Sequence, residues 1–157
     1  MAKKGKQLLG KAFTFVELIA VMTILLVLTT MVLPFARNEI VRKREMYLRE
    51  DLRLMREAID RYKVDSDAGK IPIKADTFGY PSDLKILVDG VELKGTLKGK
   101  YKYLRKIPVD PMTGNADWGL RSMQDDVDSK SWGGQNVFDV YSKSQGKALD
   151  GTQYAEW

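Results

Sequence analysis

Between Phe13 and Phe35 the chain reads FTFVELIAVMTILLVLTTMVLPF, an apolar run long enough to cross a bilayer as a helix, and Glu17 is its only charged residue. A carboxylate at the centre of a span costs about 2.5–3.5 kcal/mol on insertion scales and less near the interface. A residue that costly points to function. The plainer account is that Glu17, close to the end of the run, extends its side chain to the headgroups.

What lies upstream separates the two accounts. Residues 1–12 read MAKKGKQLLGKA, with Lys3, Lys4, Lys6 and Lys11 and no acid. This polarity holds the N-terminus in the cytoplasm and sends the C-terminal part across. A cleaved secretory signal also starts basic, but its apolar core spans about 7–15 residues and ends at a small-x-small site. Here the run is longer, carries an acid and ends Leu33-Pro34-Phe35-Ala36.

The basic leader, Ala12, the segment Phe13-Thr14-Phe15-Val16-Glu17-Leu18 and the apolar run, in one register, resemble the N-terminus of type IV pilins and type II secretion pseudopilins. Phe15 stands where Leu is commoner in that family, and Ala12 where Gly is. The resemblance implies cleavage between Ala12 and Phe13 by a membrane prepilin peptidase and N-methylation of Phe13. It also implies an assembly role for Glu17. Cleavage would leave an amine at the head of an apolar helix, and in a stack of such helices Glu17 of one subunit can meet the amine of a neighbour. Desolvation offsets much of that attraction, so the pair would set register more than stability. Pro34 removes a helix hydrogen bond and favours a bend or an end near the outer limit of the span. Family members often carry a proline at this point, which implies a place where the helix bends or melts during packing.

Composition narrows the remaining classes. The chain has 26 basic and 21 acidic residues, and four of the basic ones are the leader lysines, so residues 13–157 are nearly neutral. No strongly basic face is expected, which argues against nucleic acid as a partner. The absence of Cys and His excludes a disulfide, the common zinc sites and His-based triads. At 157 residues the chain holds one small domain plus an anchor.

From Arg37 to about Val64 the pattern is helical. Val41, Leu48, Leu52, Met55, Ile59 and Tyr62 form one apolar stripe. Glu39–Lys43, Glu45–Arg49 and Glu57–Arg61 are i,i+4 pairs in the favoured order. The charged face suits solvent or contact between subunits. Asp65–Lys70 is expected to end the helix, with Gly69 as a left-handed stop. Asp83 or Ser82 caps a short helix bearing Leu84, Leu87 and Val88. Val91–Leu97 suggests a loose hairpin or loop, and the basic-aromatic stretch Tyr101–Pro108 is expected to pack on the long helix. Trp118–Met123 and Val137–Ser142 read as strands, and Thr152–Trp157 as a last extended piece. The fold class is α+β: a long N-terminal helix packed on a small antiparallel sheet.

Tyr80-Pro81, Ile107-Pro108-Val109-Asp110-Pro111, Asp139-Val140-Tyr141-Ser142 and Trp157 make this half similar to the G-type major pseudopilin. That likeness implies calcium in the loop after the Asp-Val-Tyr-Ser strand. The loop, Lys143–Thr152, offers Asp150 as its one carboxylate, beside two lysines. Calcium takes six to eight oxygens, so Asp150 is a thin donor set; its plain role is an Asp-Gly turn.

The resulting expectation is a leader over 1–12, a membrane and filament-core helix over 13–36, an amphipathic continuation over 37–64, and a small pseudopilin domain over 65–157. The chain would be a structural subunit and not an enzyme, with no cofactor required and calcium as the candidate ion. Its partners would be copies of itself, the prepilin peptidase, an inner-membrane assembly platform and minor pseudopilins. It would sit once through the inner membrane, N-terminus inside, until assembled into a filament in the periplasm or at the cell surface. The competing expectations are a type IV pilus subunit for adhesion, motility or DNA uptake, and a monomeric membrane-anchored periplasmic binding domain.

Overall fold

A computed structural model describes residues 13–95, 99–126, 129 and 131–157, apart from the side chains of residues 31–36 and 75. The chain divides into two compact units, Met1–Ile40 and Val41–Trp157. One helix, α1 (Phe15–Asp67, 53 residues), supplies the backbone of the first and the spine of the second.

In the first unit α1 opens directly after Thr14. The Thr14 hydroxyl accepts the Glu17 amide at 3.2 Å, and the Thr14 carbonyl accepts the Leu18 amide at 3.1 Å. Thr14-x-x-Glu17 is the sequence of a capping box, and it puts the acid where the helix dipole favours negative charge. Past the cap, large apolar side chains point outward on all sides, from Phe15 and Val16 to Val27 and Leu28, each about half exposed or more. Thr23, Thr29 and Thr30 turn their hydroxyls back to the carbonyls of Ile19, Leu25 and Val27. Each side chain is thereby satisfied without an outside partner. Among the described residues no helix is long and apolar enough to cross a membrane. The described side chains of this apolar stretch run only to Thr30. Pro34 falls inside the bounds of α1, with its side chain outside the described residues.

The second unit is built on the expected stripe. Leu48, Leu52, Met55, Ile59 and Tyr62 of α1 are buried; Val41 is partly so. The helix continues to Asp67, three residues past the expected end, so Asp65 and Asp67 belong to its last turn rather than to a loop. Gly69 follows at φ 70°. After a 3-10 turn (Ala75–Thr77), Asp83 caps α2 (Leu84–Asp89), its carboxylate accepting the Lys85 amide at 3.0 Å. Leu84 and Leu87 face the core.

The strands form two separate antiparallel pairs instead of one sheet. β1 (Val91–Glu92) pairs β2 (Lys100–Tyr101), and β3 (Gly119–Arg121) pairs β4 (Asp139–Tyr141). Two glycines at these pairs admit close approaches that a side chain would block. A Cβ on Gly90 would meet the Tyr101 carbonyl at 2.8 Å, and one on Gly119 would sit inside the Tyr141 ring. The C-terminal residues expected to be extended close as a 3-10 turn (Tyr154–Glu156), tied to the preceding loop by a Lys147–Gln153 bridge. Tyr103 and Leu104 pack on the helix as expected. The Tyr103 ring meets Tyr62 edge-on at 5.4 Å, and its hydroxyl donates to Asp65 at 2.8 Å.

Candidate functional site

The residues expected to matter fall in two places. The first is the head of α1. Ala12 lies outside the described residues, and Phe13 is 78 % exposed just before the helix. Glu17 stands in the first turn with no ion pair among the described residues. Its amide belongs to the Thr14 cap, a local role that the apolar context of the acid had hidden. The carboxylate is presented at the positive end of the helix.

The second place is a polar clasp between α1 and the C-terminal segment. Glu45, Arg49 and Arg56 lie on one side of α1 by helical spacing. Glu45 was expected to pair with Arg49 along the helix. Instead its Oε1 accepts the Leu149 amide at 2.8 Å and the Tyr154 hydroxyl at 3.1 Å. Arg49 lays its guanidinium over the Trp157 ring at 4.0 Å and faces Asp150 at 3.6 Å. Arg56 reaches furthest. It donates to Asp139 Oδ1 at 2.7 Å, to the Val140 carbonyl at 3.1 Å and to the main-chain oxygen of Trp157 at 2.9 Å. Asp139 is shared with Arg121, whose guanidinium stacks on Tyr141. The third expected helix pair, Glu57–Arg61, is present at 3.6 Å, and Arg53 bridges Glu50 and Glu57.

The clasp bears on calcium. Asp150 Oδ1 accepts both the amide and the hydroxyl of Thr152, and these bonds, before the nearby Arg49, hold its carboxyl below the usual range. Its other face meets a guanidinium. No group of three or more acidic side chains among the described residues could hold a metal. A cation entering here would find one carboxylate already engaged and an arginine beside it, so the donor set does not fit calcium. Asp139 and Asp150 are each held by an arginine of α1.

Several anchors of the domain have partners that a single sequence does not name. Asp110 is fully buried, accepting from the Ser142 hydroxyl at 2.6 Å and the Met112 amide at 2.7 Å. Asn136 is equally buried, with its side chain bonded to the Met123 amide and Gln124. At the helix end, Lys70 and the Tyr103 hydroxyl hold the Asp65 carboxyl below its ordinary range. Burial above all, then Asp65, pushes the Tyr103 phenol up.

Comparison with protein-family models, with curated proteins and with solved structures finds no match to this chain.

Proposed function

We propose that the chain is a prepilin-type precursor whose mature form, starting at Phe13, polymerises as a structural subunit of a type II secretion pseudopilus. The observation that carries this reading is the head of α1. A capped helix starts two residues after the Ala12-Phe13 junction, with one carboxylate in its first turn that has no ion pair among the described residues and apolar side chains exposed on every side. Such a stretch needs lipid around it or other helices against it. In the inner membrane lipid would cover Phe13–Phe35; in a filament the same stretch of neighbouring subunits would. Glu17 would penalise every stack in which it fails to meet a neighbour's Phe13 amine, and Pro34 would let the helix adjust on packing. The partners are then the prepilin peptidase, an assembly platform and minor pseudopilins. The work of extraction comes from a separate ATPase, since the sequence has no phosphate-binding glycine loop.

The test is intact mass and N-terminal sequencing of the native protein, from cells with and without prepilin peptidase. A methylated chain beginning at Phe13, dependent on that enzyme, is expected. A chain retaining Lys3 and Lys4, forming no filament and tolerating Glu17→Gln without loss of function, would instead identify a monomeric anchored domain. A type IV pilus subunit shares the processing but not the genetic setting. The full set of other pseudopilins marks secretion, and a retraction ATPase marks a pilus.

A further inference from the structure

The arginines of α1 divide by their distance in sequence from the apolar run. Arg49, Arg53, Arg56 and Arg61 each face a carboxylate: Asp150 for the first, Glu50 and Glu57 for the second, Asp139 for the third and Glu57 for the last. Arg37, Arg42 and Arg44, nearer the run, are exposed, and none of them makes an ion pair or a hydrogen bond among the described residues.

The acids close to them in sequence do not change this. Glu45 turns its carboxylate to the Leu149 amide and the Tyr154 hydroxyl, and Glu50 is taken by Arg53. Glu39 and Lys43 each have a contact of their own. Over residues 37–49 the sequence holds five basic side chains (Arg37, Arg42, Lys43, Arg44 and Arg49) against two acidic ones (Glu39 and Glu45). Asp150, brought to Arg49 from the far end of the domain, still leaves two more bases than acids. Residues 13–157 as a whole are nearly neutral, so this excess is local.

Its place along the chain decides what can meet it. Arg37, Arg42 and Arg44 follow Phe35 by two, seven and nine residues, all within the bounds of α1. At a helical rise of about 1.5 Å per residue, the last of them is at most about 14 Å past the end of the apolar run. The headgroup layer on each side of a bilayer is about 5–8 Å deep. An arginine stem can lie back along apolar surface while its guanidinium stays among the headgroups. The planar guanidinium also matches a phosphate with two parallel hydrogen bonds.

We propose that Arg37, Arg42 and Arg44 each bind the phosphate of an anionic phospholipid in the leaflet where the apolar run ends, and so set the depth of α1 in the membrane. The inference rests on reading Phe13–Phe35 as a membrane helix. Lipid is the occupant because the arginines without a carboxylate are the three nearest the run, while every arginine of α1 beyond them is paired within the chain. In the filament-subunit reading these contacts belong to the stored subunit and are given up when it leaves the bilayer.

The test uses the full-length chain and its Arg37→Gln/Arg42→Gln/Arg44→Gln variant. Both also carry Lys3→Gln, Lys4→Gln, Lys6→Gln and Lys11→Gln, which remove the leader's own attraction for anionic lipid. Each is synthesised cell-free into micelles holding equal amounts of phosphatidylglycerol and phosphatidylcholine, and the retained lipid is read by native mass spectrometry. A basic side chain near an anionic surface is worth on the order of fivefold in affinity. The ratio of phosphatidylglycerol to phosphatidylcholine retained is therefore expected to fall at least fivefold in the arginine variant, with excess inorganic phosphate displacing none of it. Thermal unfolding checks that the variant, altered only at exposed positions, keeps its fold. An unchanged ratio would overturn the contact and leave the membrane helix standing. An unchanged ratio together with loss of filaments in cells would overturn it too, by assigning the arginines to a neighbouring subunit. Displacement by inorganic phosphate would show a free-anion site instead of a lipid one. A full-length chain that alkaline carbonate strips from phosphatidylcholine vesicles would overturn both the contact and the membrane reading.

Discussion

The two stretches of α1 are made of the same secondary structure and solve opposite problems. From Phe15 to Leu28 apolar side chains surround the helix, and none is buried. From Val41 to Asp67 apolar side chains keep to one stripe, and Leu48, Leu52, Met55 and Ile59 are almost wholly removed from solvent. The apolar-sided helix is left uncovered by the described residues, whereas the striped helix is completed by its own domain. Even the polar side chains follow this division. In the first stretch the threonines bond to their own helix, and Glu17 has no ion pair among the described residues. In the second stretch Glu45, Arg49 and Arg56 reach more than eighty residues along the sequence to hold the other end of the domain.

The sharpest way to break this contrast is the same truncation on both sides. Leu52→Ala empties a site that is 2 % exposed and is expected to cost about 2–5 kcal/mol of unfolding free energy. Leu25→Ala, at a position 54 % exposed, is expected to leave that free energy within about 0.5 kcal/mol. Denaturant unfolding of the detergent-solubilised chain, followed by tryptophan fluorescence, measures both. Similar losses from the two variants would mean that the first stretch also packs within the chain.

The clasp comes next. Arg56→Met strips Asp139, the Val140 carbonyl and the Trp157 main-chain oxygen of a donor while keeping much of the stem. The Arg56 side chain is 39 % exposed, so water recovers part of the loss. The expected destabilisation is about 1–3 kcal/mol, below the 3–5 typical of a fully buried pair. Arg121 still faces Asp139 and limits the damage. Glu45→Gln should cost about 1 kcal/mol, because a neutral amide oxygen accepts from Leu149 and Tyr154 less strongly than a carboxylate. With Arg49 beside Asp150, calcium and EDTA should give the same unfolding midpoint. A midpoint raised by calcium would show that the loop rearranges to admit the ion.

The striped half was legible because burial imposes a period. Leu48, Leu52, Met55, Ile59 and Tyr62 recur at helical spacing, and the core uses them at that spacing. The Asp83 cap and the Gly69 stop were also legible, since each acts on residues beside it in sequence. The clasp was not. Glu45 and Arg49 satisfy the rule for a local i,i+4 pair, and nothing in a single sequence says that Leu149, Tyr154 and Trp157 compete for them. The division into two strand pairs was hidden for a related reason. Pairing is set by partners distant in sequence, and a glycine such as Gly90 or Gly119 does not name the backbone or ring that approaches it. Glu17 was noticed as a charge in an apolar run, while its place in a Thr14 cap follows from the helix starting there.

The smallest expected effect concerns Asp51, one residue from the buried stripe. Burial first, then Glu50 and Asp110, raises its carboxyl above the ordinary range, against the pull of Lys106. A raised folded value means that the ionised group opposes folding. The penalty is absent at low pH, where Asp51 is protonated in both states, and it grows as pH rises through the unfolded and then the folded value. Asp65 has the opposite sign. Its carboxyl is lowered by Lys70 and Tyr103, so its contribution is present above the unfolded value and is lost as pH falls through the folded one. Asp51→Asn should therefore stabilise the chain slightly at pH 7 and leave it unchanged near pH 3, whereas Asp65→Asn should destabilise it at pH 7 and converge on the wild type in acid. Unfolding midpoints of the three proteins from pH 3 to 7 make the comparison. An Asp51→Asn variant less stable than the wild type at pH 7 would show that the carboxylate is paired after all, with Lys106 outweighing the burial that now sets its sign.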